Sequence, residues 1–152
     1  MYYLCKSLSL GFQDAVATTK QILNRHQFVI VAEIELARAL ARHSAVEMHP
    51  YVILSACSPQ LASRAIQADS KIGSILLCNV VVQRHSDGHV EVSTADPTTT
   101  FGTTNHVELI WIAQRLRSMI EEVFDHIEFH PRSQRTFRYH GEPERKLAHA
   151  LR

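Results

Sequence analysis

The chain has few cysteines, no long hydrophobic run and almost no net charge, and each shortage excludes something. Three cysteines in 152 residues, an odd number far apart, exclude a disulfide-stapled secreted scaffold. No apolar stretch approaches the ~20 residues needed to span a bilayer. The opening MYYLCKSLSLGFQDA has no basic leader region, no long apolar segment and no small-residue cleavage site, so a cytoplasmic protein with no membrane partner is expected. A formal net charge of +1 offers no strong field for nucleic acid. The Gly-rich dinucleotide and P-loop patterns, the GxSxG elbow and the HExxH metal motif are all missing, so none of these chemistries has its usual signature.

What is present fits one ordinary globular domain. Its 45% hydrophobic and 20% charged content is typical of a chain that buries an independent core. The small net charge hides an asymmetry. Residues 131–152 hold six Lys/Arg and two acids, net +4, whereas residues 1–130 hold ten Lys/Arg and thirteen acids, net −3. The expected organisation is a single α/β domain over 1–130 and a basic C-terminal tail over 131–152. The tail is free to fold onto its own domain, a neighbouring subunit or another partner.

Hydrophobic periodicity gives the order β-α-β-α-β-α-β-β-α. Met1–Leu10 reads as a strand, and Phe12, Val16, Thr19, Ile22 and Leu23 fall at helical spacing after it. The β-branched run Gln27–Ile34 reads as a strand buried on both faces. Glu35–His43 reads as a short helix with Leu36, Ala39, Leu40 and His43 inward. Tyr51–Ala56 is a strand, and Ser58-Pro59 marks a helix start by a capping hydroxyl and a proline at the first helical position. That helix has Leu61, Ala62, Ala65 and Ile66 as its stripe. Ile75–Arg84 is the next strand, and Asp87-Gly88 is a hairpin signal leading into Val90–Ser93. Thr98–Thr104 reads as a loop. Asn105 with Glu108 forms a capping-box pattern for a final helix to about residue 128. The class is α+β: a mixed sheet of about five strands with about four helices packed on it.

Glu33-Ile34-Glu35, Pro50-Tyr51, Ile53-Leu54, Ala56-Cys57, Pro59, Ile72-Gly73, Cys78-Asn79-Val80-Val81-Val82 and Asp96-Pro97 stand in an order that closely resembles domain-of-unknown-function family 302. The likeness covers about residues 2–127. The chain departs from the family pattern at Ser58, where Asn is usual, at Leu77, where Pro is usual, at Glu35 for Asp, and before Lys71, where no Pro stands. The resemblance implies a small soluble α/β homodimer and assigns no activity.

Cys57 is the leading candidate, at a strand end just before the helix start at Ser58. Free N–H groups and the helix dipole there favour an anion, which would lower the thiol pKa. The plain alternative is a small buried hydrophobe. Cys78 lies in an apolar strand where packing alone accounts for it. The two thiols share a pocket only if their strands are antiparallel neighbours. Glu33 and Glu35 share strand parity and can face one cavity, or simply end a strand in solvent. His126 and His130, four apart, are weak metal candidates, with exposure at a helix end the commoner outcome. His85 and His89 flank the hairpin turn, where exposure is again expected. Trp111, one step off the core stripe of its helix, suits a contact under the tail or in a dimer.

Three readings stay open. The first is a non-catalytic homodimer with a cleft near Cys57 for a small ligand or protein partner. The second is a thiol redox or sulfur-handling protein using Cys57 and Cys78. The third is a haem or transition-metal binder. The balance leans away from an enzyme.

Overall fold

The structure is a computed structural model that describes residues 2–43, 45, 47–101, 104–127 and 136–139. Six strands are built into one sheet: β1 (Tyr2–Leu8), β2 (Val29–Glu35), β3 (Tyr51–Cys57), β4 (Cys78–Arg84), β5 (Val90–Ala95) and β6 (Thr136–Tyr139). Their order across the sheet is β2-β3-β4-β5-β1-β6. Every pair is antiparallel. The crossovers suggested a mixed sheet. Instead β3 and β4 are antiparallel neighbours although a helix joins them, and β1 and β2, which run the same way, are kept apart by three strands. β6 lies in the basic tail and lengthens the sheet along β1.

Five helices connect the strands: α1 (Phe12–Arg25), α2 (Leu36–Ala41), α3 (Pro59–Ala68), α4 (Pro97–Thr100) and α5 (Val107–His126). A 3-10 turn at Ile72–Ser74 leads into β4. Strand alternation sends Leu4, Leu8, Val52, Leu54, Ala56, Val80, Val82, Val90 and Val92 to one face. There they form a single core with Val16, Leu23, Leu109, Ile112, Leu116, Ile120 and Val123 of α1 and α5. No helix among the described residues is long and apolar enough to cross a membrane.

α1 ends in a Schellman motif. The Phe28 N–H bonds the Leu23 carbonyl at 3.0 Å and the Gln27 N–H bonds that of Asn24 at 3.3 Å. The motif needs a left-handed residue between, and Gln27 takes it at φ 64°. Glycine is the usual occupant, because a side chain there is strained. At the hairpin the same demand is met by Gly88 at φ 89°.

Several local expectations give way to tertiary context. β2 is an edge strand, with Val29, Val31 and Ile34 exposed, and not a strand buried on both faces. A bulge between Ile30 and Ala32 interrupts its pairing with β3. α2 buries none of its residues, since it leaves the sheet beside that edge. Ile66 of α3 is exposed, and Ser58 makes no side-chain cap. α5 begins after His106, and Glu108 is drawn from the capping box into an ion pair with Arg64 at 2.5 Å. The first residues of the loop expected at Thr98–Thr104 belong instead to a one-turn helix, Pro97–Thr100, capped by Asp96.

Candidate functional site

Cys57 ends β3 opposite Val29 of β2, and α3 starts two residues later. Just beyond lies an open pocket of about 410 Å³ lined by Asn24, Gln27, Phe28, Val29, Ser58, Pro59 and Gln60. Its floor is apolar: Phe28 is buried in the core. Its rim carries three amides, Asn24, Gln27 and Gln60, and no charged residue. No described residue engages those amides. Sequence reading missed Asn24, Gln27 and Gln60, which come from two distant segments. The only trace was the chain turn at His26-Gln27.

The antiparallel β3–β4 pair brings the two cysteines to the same end of neighbouring strands, as a shared pocket requires. The register then separates them. Ala56 pairs with Cys78, so Cys57 lies one residue past and alternation turns it to the opposite face. Burial pushes the Cys57 thiol up, the reverse of the shift expected from the helix start. Cys78 is pushed up to about 12, first by burial and then by the Cys57 charge. Neither is a ready thiolate. Leu77, where the family pattern carries Pro, is exposed beside them. Cys78 also borders a second pocket of about 290 Å³ with Leu76, Asn79, Thr94, Pro97 and Phe101.

Glu33 and Glu35 do face one cavity, of about 230 Å³, with Phe12, Val16, Arg38 and Tyr51. Each is paired: Lys20 Nζ is 2.5 Å from Glu33 and Arg38 is 3.4 Å from Glu35. His126 stands 4.8 Å, ring to ring, from His26, and its Nδ1 lies 2.8 Å from the Glu122 carbonyl oxygen. His130 lies outside the described residues. Trp111 is exposed and stacks under the Arg64 guanidinium at 4.4 Å, tying α5 to α3.

The sheet face that no described helix covers is the other surface of note. One cross-strand row runs Ile34, Ile53, Val81, Ser93, Cys5. A parallel row toward the hairpin end holds Tyr51, Gln83, Glu91 and Ser7. Burial first, then the Tyr3 and Glu91 charges, holds the Tyr51 hydroxyl above its usual pKa.

The fold and its pockets define a small α+β protein whose described helices pack on one face of its sheet. A family model, domain of unknown function DUF302, matches residues 4–127, and the chain belongs to that family. No curated protein matches. Among solved structures the chain is similar to an uncharacterised conserved DUF302 protein from Bacillus stearothermophilus. The TM-score is 0.77 at 23% identity over 84% of this chain and 99% of that one. That likeness establishes a shared fold.

Proposed function

We propose that this protein is a non-catalytic binding protein that works as a homodimer and holds a small, uncharged polar ligand in the pocket beside Cys57. One observation carries the reading. Three unengaged amides ring an apolar floor, and one of them, Gln27, occupies a backbone position where its side chain is a cost to folding. Amides supply both donors and acceptors without charge, which suits a neutral ligand with carbonyl and N–H or O–H groups. The unpaired N–H groups at the start of α3 add further donors on the Ser58 side.

We infer that the second copy docks on the sheet face that no described helix covers. Ile34, Ile53 and Val81, adjacent across three strands, give that face an apolar stretch, and Gln83 and Glu91 lie beside it. Five strands at ~4.8 Å spacing and seven residues at ~3.3 Å rise give roughly 500 Å² in projection. That is the scale of the ~800 Å² of accessible surface each partner of a standard interface buries. The thiol reading has less support, because both thiols are shifted away from ionisation.

Native mass spectrometry of the purified protein tests both parts. The expected result is a dimer that carries a small neutral adduct, with the adduct lost in Gln27→Gly and the dimer lost in Ile53→Lys. A strict monomer at tens of micromolar would refute the dimer. An adduct retained in full by Gln27→Gly and by Gln60→Ala would refute the pocket.

A further inference from the structure

We propose that the β4–β5 hairpin carries a binding site for one divalent transition-metal ion, made by His85, His89 and Glu91. This site lies at the other end of the strands from the Cys57 pocket and does not depend on it. The hairpin builds it. Gly88 closes the turn, with its N–H on the His85 carbonyl at 2.9 Å, and the His85 N–H bonds the His89 carbonyl at 2.9 Å. His85 and His89 therefore face each other as the last pair of the ladder. Gln83 pairs with Glu91, so His85 is the diagonal neighbour of Glu91, and alternation puts all three on the sheet face that no described helix covers.

The side-chain geometry follows from that register. The two imidazoles stack 4.2 Å apart and 8° from parallel. One donor atom from each of the three residues lies within 4.8 Å of the other two. The His85 Nε2 is buried and has no hydrogen-bond partner, with the Glu91 carboxylate 3.7 Å away. That distance is too long for a hydrogen bond. It is close to the roughly 3.4 Å between ligand atoms that tetrahedral bonds of ~2.0–2.1 Å produce. The same Glu91 Oε1 accepts from Gln83 Nε2 at 3.3 Å, which holds the carboxylate toward the buried, unpartnered His85 nitrogen at a spacing that suits two ligands of one ion. Closing the widest separation needs only side-chain rotation, which His89 at 40% and His85 at 35% exposure leave room for, while Glu91 at 15% stays in place. Asp87 Oδ1 sits 2.5 Å from His89 Nδ1, which adds a carboxylate that orients the ring from outside the ligand set.

Two imidazoles and one carboxylate with an open fourth position suit a borderline ion such as Zn²⁺ better than Mg²⁺ or Ca²⁺, which favour all-oxygen shells. The role assigned here is binding alone.

The test is titration of the full chain with Zn²⁺ by calorimetry, and with Co²⁺ followed by its visible absorption. The expected result is one equivalent per chain, with Co²⁺ bands of the intensity that tetrahedral coordination gives. Glu91→Gln should weaken binding at least about 10-fold, and the double variant His85→Ala/His89→Ala should abolish it, with circular dichroism unchanged. Asp87→Asn should weaken it about 10-fold or more, as loss of an orienting carboxylate does. Binding that survives intact in the double variant would place the ion on other histidines and overturn the proposal. So would the absence of any saturable binding by the folded wild-type chain.

Discussion

Lys6 Nζ donates to the main-chain carbonyl of Phe124, and also to that of Ile127 at 2.5 Å. The side chain comes from β1, is 1% exposed and lies among core residues. It caps the C-terminal end of α5, where carbonyls lack partners within the helix and a positive charge meets the negative end of the dipole. Acceptors that replace water make a buried ammonium tolerable, and these two carbonyls are among them. Lys6→Met should leave two buried carbonyls unsatisfied. The expected cost is about 2–4 kcal/mol after allowing for the charge no longer buried. Thermal unfolding should fall by roughly 5–10 °C in a chain of this size. A variant as stable as the parent would show that the cap contributes nothing net.

Asp96 does two jobs with one carboxylate. Oδ1 accepts from the Thr98 N–H at 2.8 Å and from the Thr98 hydroxyl at 2.7 Å, and Oδ2 faces Arg117 at 2.9 Å. It is buried, so both oxygens need these partners. Asp96→Ala should cost about 1–3 kcal/mol, since it removes a helix cap and one partner of a half-exposed Arg117 that keeps its pairing with Glu121. Asp96→Asn keeps a capping oxygen and should cost less. Urea denaturation of the two variants checks the ranking.

Gln27→Gly should stabilise the fold by about 0.5–1 kcal/mol. It relieves the left-handed backbone of a non-glycine residue, and the freedom glycine adds to the unfolded chain takes back part of the gain. The same change removes an amide from the pocket. Stability should rise while ligand binding falls, and a loss of stability would refute the Schellman account of this position.

Cysteine ionisation should weaken the fold in alkali. Folded Cys78 keeps its proton up to about 12, whereas the unfolded thiol loses it near 9. Between those values the folded state binds more protons, so stability falls as pH rises. Below about pH 9 the contribution is complete. Cys78→Ala should flatten the decline above pH 9, as read from melting temperatures across that range. In the native protein at pH 8, iodoacetamide should modify half-buried Cys57 more slowly than a free thiol and leave Cys78 untouched.

Much of this protein can be read without its tertiary structure. Period and punctuation located β1, α1, β3, α3, β5 and α5, the Asp87-Gly88 turn and the α+β class, because each rests on residues a few positions apart. The inward faces of α1 and α5 followed from helical spacing alone.

The rest depended on which segments meet. The β-branched run of β2 has the composition of a buried strand, yet its place at the end of the order leaves it at the edge. Lys6 reads as a surface residue until α5 ends above it. Cys57 and Cys78 could share a pocket only if their strands were antiparallel neighbours; they are, but a one-residue offset in register puts the two on opposite faces. The same register set His85 diagonal to Glu91, a relation no spacing rule announces. Local sequence fixes which face of an element is apolar. Only pairing across the sheet decides which neighbour each face, edge and helix end must satisfy.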